Sequence, residues 1–273
     1  MKYNYSVIIL NWKRPTNVMH IVDKIHDYSE IKEIVISNGH PNNILNFKQF
    51  DKVICYDDSI FNTFYGLDLR FLRGSHAKYN KLIFMDDDVL LENDNLTKLL
   101  MQYELNPNKI VGYEGRSMDH DLHYGKVPAK SVECDIVLTR LLVCDKILCE
   151  LFFRCKPLVE AIYREGIPYG NGEDILLSFI AKIYYNIDKH SLVHKLYITE
   201  LPNQNSINAH PSHLEYRKKL CCYLKKNKKL FRQVICDNKS NINTGMYNNI
   251  NRSSIKSLYK PNNKIGFGFK YTR

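Results

Sequence analysis

Residues 81–91 read Lys-Leu-Ile-Phe-Met-Asp-Asp-Asp-Val-Leu-Leu, an apolar strand that runs directly into three carboxylates. Adjacent aspartates repel one another, and burial penalises each charge, so a folded chain keeps them together most readily where a cation offsets them. A solvated acidic loop is the bland alternative. The preceding strand argues against it, because open α/β sheets bind ligands at the carboxyl ends of their strands. A hard divalent cation, Mn²⁺ or Mg²⁺, suits an all-oxygen set. If the segment stays extended, Asp86 and Asp88 share a face and Asp87 points elsewhere.

The rest of the first half supports such a sheet. Tyr5–Leu10 is a continuous apolar run suited to a central strand, and Pro15 and Thr16 open a helix reaching about Asp27. Further strands are expected at Ile31–Ser37, Val53–Tyr56 and Ile110–Tyr113, and a helix at Phe64–Gly74. Asp94 is placed to cap a helix carrying Leu96, Leu99, Leu100 and Tyr103. Strands alternating with helices indicate an α/β fold with a mostly parallel sheet flanked by helices. From Glu114 the pattern loosens. A strand follows near Ile136–Leu142, then helices at Lys146–Phe153, Leu158–Glu165, Glu173–Tyr185 and Leu214–Leu230.

A second carboxylate pair stands in Gly170-Asn171-Gly172-Glu173-Asp174-Ile175-Leu176, a glycine-containing turn entering a buried helix. The helix dipole keeps acids ionised in a first turn. Glu173 or Asp174 there can act as a base towards a hydroxyl or stabilise developing positive charge. Helix capping alone explains the pair nearly as well.

The chain has 273 residues, 44% of them hydrophobic and 25% charged, which is globular composition. Its net charge of +10 favours an anionic partner without choosing among nucleotide diphosphate, nucleic acid, membrane surface and acidic glycan. Much of the excess follows residue 216, where a solvated helix face explains it. The eight cysteines lack C-x-x-C or zinc-finger spacing. Cys55, Cys144 and Cys149 sit among apolar neighbours and are expected to be small buried hydrophobes. No segment approaches the roughly 18 apolar residues of a membrane helix, and no signal-peptide core is evident. The expectation is a cytoplasmic protein without a membrane span.

Taken in order, the motifs resemble those of the exostosin-like glycosyltransferases, α-N-acetylhexosaminyltransferases whose GT-A domain also forms the C-terminal half of the heparan sulfate polymerases. The likeness spans roughly residues 5–220. It runs through Asn11-Trp12-Lys13-Arg14, Asn38, Leu82 to Asp88, Asn106 to Tyr113, Val137-Leu138, Leu151-Phe152 and Asn171 to Ile175. The resemblance implies a GT-A (Rossmann-like) nucleotide-diphospho-sugar transferase fold. It divides residues 1–235 into a nucleotide-sugar half (1–113) and an acceptor and catalytic half (114–235), leaving 236–273 as an extension of mobile composition. It also implies a UDP-sugar donor with Mn²⁺, a glycan or other hydroxyl acceptor, and retention of anomeric configuration. Arg14, Asn38 and Arg70 would contact the uridine or diphosphate. Asp86 would lie near the ribose with Asp87 beside it, Asp88 would bind the metal with help from Asp86, and Asp174 would be the catalytic carboxylate.

Further candidates are Asn11 and Asn62 on the donor side, Arg73 beside Arg70 for a diphosphate, and Arg116 for the acceptor. His210 and His213 fall where several GT-A enzymes supply a late histidine, and Trp12, the only tryptophan, either stacks on a base or packs in the core. An inverting GT-A transferase and a UDP-sugar hydrolase are the nearest alternatives. A basic nucleic-acid-binding protein is the alternative from another class, supported only by generic charge over residues 216–232 and by no recognised motif.

Overall fold

In the computed structural model, residues 3–43, 45–91, 94–118, 124–127, 131–163, 165, 171–202 and 213–242 are described. The opening apolar run is strand β1 (Tyr5–Asn11), followed by α1 (Pro15–Ile25), β2 (Ile31–Asn38) and β3 (Val53–Asp57). Next come α2 (Ser59–Tyr65), α3 (Leu69–Ser75), β4 (Lys81–Asp86), β5 (Val89–Leu91) and α4 (Asn95–Leu105). Short strands follow: β6 (Val111–Gly112), β7 (Gly115–Met118), β8 (Tyr124–Lys126), β9 (Glu133–Cys134), β10 (Ile136–Val137) and β11 (Leu141–Asp145). The last elements are α5 (Ile147–Cys155), α6 (Glu160–Tyr163), α7 (Glu173–Tyr185), β12 (His190–Leu192), β13 (Ile198–Glu200), α8 (His213–Lys226) and α9 (Lys228–Ile242).

The main sheet has the order β3-β2-β1-β4-β11-β6-β12-β9. The first four strands in that order are mutually parallel, and β11 runs antiparallel between β4 and β6. It is therefore a large mixed sheet with a parallel half, compatible with a Rossmann-like glycosyltransferase fold. Its two faces are both covered, which is why β1 and β4 read as unbroken apolar runs. Val7, Ile9, Ile83 and Met85 pack with α1 and α4 on one face, while Ile8, Leu82 and Phe84 pack with α3, α5 and α7 on the other. Each such side chain, fully buried, contributes roughly 1.5–3 kcal/mol.

Chain order leaves β1 by β2 on one side and by β4 on the other. The crevice between the carboxyl ends of β1 and β4 is thus a topological switch point, the place where such sheets bind ligands.

Several sequence expectations need correction. The segment Phe64–Gly74 is not one helix: α2 ends at Tyr65, a 3₁₀ turn covers Gly66–Asp68, and α3 begins at Leu69. Gly66 takes φ 52°, which ends α2, and Phe64 is exposed, so its apolar character does not mark a buried stripe. Residues 136–142 form two strands in different sheets, because the chain turns at Thr139 and Arg140. The expected Leu158–Glu165 helix is a 3₁₀ turn followed by the short α6, and the Leu214–Leu230 helix breaks at Asn227 between α8 and α9. Asp94 precedes α4 without a side-chain capping hydrogen bond. Cys144 and Cys149 are buried as expected, whereas Cys55 is exposed on β3, an edge strand of the sheet.

A compact unit comprises residues Met1–Ile235, and a second unit comprises Cys236–Arg273. Of the expected mobile extension, residues 243–273 lie outside the described residues. Among the described residues no helix is long and apolar enough to cross a membrane.

Candidate functional site

Three strand ends and one helix start converge on the crevice. Asn11 closes β1, and its amide donates to Oδ1 of Asn38 at the end of β2 (3.0 Å). Asn43 supports both, donating to the Trp12 carbonyl (2.9 Å) and to Asn38 Oδ1 (3.1 Å). The same Asn11 side chain accepts the Arg14 backbone N–H (3.2 Å), which fixes the entry into α1. Arg14 then reaches across the crevice to Asp87 and lies 3.4 Å from Asp88. Trp12 N–H donates to the second Asp87 oxygen (3.2 Å).

The three aspartates do not alternate as an extended strand would. β4 ends at Asp86, and Asp87 and Asp88 form a turn, so the period of two stops there. Asp87 and Asp88 consequently share Arg14, while Asp86 faces Arg70 (2.8 Å). Burial pushes the Asp87 carboxyl up to about 6 against the pull of Arg14. Asp88 is raised by burial and then by Asp86, again opposed by Arg14. Net cationic charge placed here would favour the ionised form of both.

On the opposite wall, α7 begins with Glu173 and Asp174, both 4% exposed. Thr139 Oγ1 donates to Glu173 (2.9 Å), and Arg70 lies 4.0 Å from the same oxygen. Arg70 therefore stands between the strand-end carboxylates and the helix-start pair. Burial works against its charge, but Asp86 and then Glu173 outweigh that and raise its pKa. Arg217 on α8 donates to Asp174 and to Asn171 Oδ1 (3.1 Å), with its guanidinium 4.8 Å from the Tyr124 ring centre. Thus two buried arginines flank two buried carboxylates.

The remaining candidates lie as follows. Arg73 turns away from Arg70 and forms a two-pronged pair with the fully buried Asp58, which Ser37 also contacts (2.6 Å). Its guanidinium also covers the Tyr56 ring at 3.8 Å, so although Arg73 shares α3 with Arg70, it is engaged by Asp58 and β3 while Arg70 is engaged by Asp86. Asn62 rests against Gly39, just beyond β2; a Cβ added at Gly39 would lie 3.1 Å from Asn62 Oδ1. Arg116 is held by Glu114 (2.9 Å), which also accepts from Arg140 (3.2 Å). Together with Tyr113, His194 and Lys195, Arg116 lines a hollow of about 360 Å³. His213 meets the Asn171 amide (3.1 Å), and so touches the turn before α7. His210 lies outside the described residues. Trp12 is 44% exposed, edge-on to His40.

Sequence reasoning missed Arg217, which it treated as part of a basic surface run. Its signal was the apolar spacing of Leu220, Cys221 and Leu224, which places residue 217 on the inward side of α8.

Gly172 fixes how α7 enters the site. It has φ 101°, and an added Cβ would lie 2.6 Å from Leu220 Cδ2. Gly172→Ala is expected to cost about 1–3 kcal/mol, read as a lowered thermal midpoint. An unchanged midpoint would contradict the geometry.

Glu173 has a pKa raised to about 7, first by burial and then by Asp174, with Arg70 and Arg217 opposing. Between its unfolded value near 4.5 and about 7 the folded state holds the extra proton. The stability this contributes is therefore present at low pH and lost as pH rises through about 7. Relative to Glu173→Gln, the wild type should lose stability between pH 5 and pH 8 in paired thermal melts. A difference independent of pH would sink this reading.

Among the described residues no three His, Cys, Asp or Glu form a ready metal cage. A cation that takes one or two carboxylates and completes its shell with phosphate oxygens and water would need no such cage. No curated protein gives a significant match to the chain. The profile of the glycosyl transferase family 64 domain matches residues 5–235.

Proposed function

The chain belongs to glycosyl transferase family 64 and is a glycosyltransferase, and from that premise we propose that it transfers a sugar from a UDP-sugar to a hydroxyl acceptor on a GT-A-type domain, with metal dependence and retention of configuration. The observation that carries the reading is the pairing of two charge clusters across one crevice. Cations and carboxylates at the ends of β1 and β4 face the buried Glu173–Asp174 pair, with Arg70 between them.

In this reading Asn11, Asn38 and Arg14 form the nucleotide end. Their side chains already restrain one another, so little order remains to be gained on binding. Asp88, assisted by Asp86, would hold Mn²⁺ or Mg²⁺, which when bound offsets negative charge on the diphosphate leaving group. Arg14 and Arg70 are placed to exchange a carboxylate for phosphate oxygens, a geometry that guanidinium matches two-pronged. Asp174, fixed by Arg217, presents a buried negative charge to the sugar as positive charge develops at its anomeric carbon. Arg116 and its hollow supply the acceptor side.

Incubation with a panel of UDP- and GDP-sugars and hydroxyl acceptors, with NMR of the product, tests the proposal. An α-linked product from an α-linked UDP-sugar is expected. A β-linked product would remove retention, and release of free sugar with no acceptor product would make the protein a hydrolase.

A further inference from the structure

The helices that deliver Arg217 to the site have an outer face with a different character. Leu220, Cys221, Leu224, Phe231 and Ile235 form a buried stripe along α8 and α9. Asn227 N–H bonds to the Tyr223 carbonyl (3.0 Å) and Leu230 N–H to the Asn227 carbonyl (2.9 Å) at the break, and Phe231 and Ile235 follow Leu224 at spacings that return to the same side of a helix. At about 100° per residue, Lys218, Lys219, Lys226 and Lys229 fall on the opposite side, and Lys225 and Arg232 flank it. All six are exposed. They lie on both helices, on either side of the break at Asn227. The sequence from 216 to 236 contains no Asp or Glu. Lys219 pairs with Glu165, and among the described residues Lys225, Lys226, Lys229 and Arg232 make no ion pair.

We propose that this outer face of α8 and α9 docks the protein on an anionic phospholipid membrane surface. The charge complements such a surface, which attracts each nearby Lys or Arg. Exposed Leu214 and Leu230, 62% and 43% exposed, provide apolar side chains beside the ammonium groups, as interfacial helices do. The aromatic residues of the stretch do not stand out for base stacking: Tyr216 and Phe231 are buried, and Tyr223 donates to the Leu158 carbonyl (2.7 Å). A single-stranded nucleic-acid groove would need such rings. Lysines outnumber arginine on the face, which supplies point charge without the two-pronged geometry that reads specific groups. Because Arg217 leaves the inner side of α8, docking holds the Arg217–Asp174 pair about one helix diameter, roughly 10 Å, from the bilayer.

The full chain is sedimented with vesicles of phosphatidylcholine alone and of phosphatidylcholine with one third phosphatidylserine, at low and high salt. Binding to the anionic vesicles only, abolished by high salt, is expected. The variant Lys225→Glu/Lys226→Glu/Lys229→Glu/Arg232→Glu should bind at least tenfold more weakly, with an unchanged thermal midpoint. The corresponding Gln variant provides the readout if the charge reversal misfolds. Equal binding to both vesicle types, a loss smaller than tenfold in the folded variant, or displacement from vesicles by a duplex oligonucleotide at equal phosphate concentration would overturn the proposal.

Discussion

Asp174→Asn is expected to lower turnover by about 10²–10³-fold while leaving UDP affinity within about twofold. The substitution preserves shape and removes charge. Asp174 is 4% exposed, so its negative charge acts through little solvent, and the Arg217 guanidinium keeps it in one orientation. Loss of the charge also leaves Arg217 with a neutral partner, so a lower thermal midpoint should accompany the kinetic effect. The split between kcat and nucleotide affinity separates the two roles: a residue serving packing alone would change stability without selectively changing turnover. Full turnover in the variant would end the catalytic assignment.

Arg70→Ala should produce the largest loss of stability at the site, about 3–5 kcal/mol, together with at least tenfold weaker donor binding. Arg70 is 5% exposed and lies 2.8 Å from Asp86 and 4.0 Å from Glu173. Its removal takes the shared countercharge from both walls of the crevice. Asp86, with a side chain 27% exposed, can be hydrated, but Glu173 at 5% cannot be to the same extent. The Glu173 carboxyl would therefore take up a proton at higher pH than in the wild type. For a chain of this size the stability change corresponds to a fall of roughly 6–20 °C in thermal midpoint. A change below about 1 kcal/mol would show that the pair interactions are offset elsewhere.

How much of this was legible in the sequence depended on whether burial or local geometry decided each position. β1 and β4 were readable because strands covered on both faces are apolar throughout, and α7 was readable to its ends because buried residues line most of it. The acidic motif was found for the same reason, since its strand was unmistakable. Its internal arrangement was not, because the chain turns immediately after Asp86 and the alternation expected of an extended segment fails. The sequence also misled at Phe64, which is exposed and lies before the break at Gly66 rather than in one helix with Gly74, and at Arg217, where a buried guanidinium sits within a run of surface lysines. At Arg217 the helical spacing of Leu220, Cys221 and Leu224 held the correct signal. The Arg70–Glu173 approach joins residues 103 positions apart in the chain, so no local pattern could announce it.

Calorimetric titration of wild type and Asp88→Asn with UDP, first with Mn²⁺ and then with EDTA, tests the central claim most directly. The account predicts binding by the wild type that requires Mn²⁺ and that Asp88→Asn weakens sharply. Equal affinity with Mn²⁺ and with EDTA, or equal affinity of the two proteins in Mn²⁺, would contradict it.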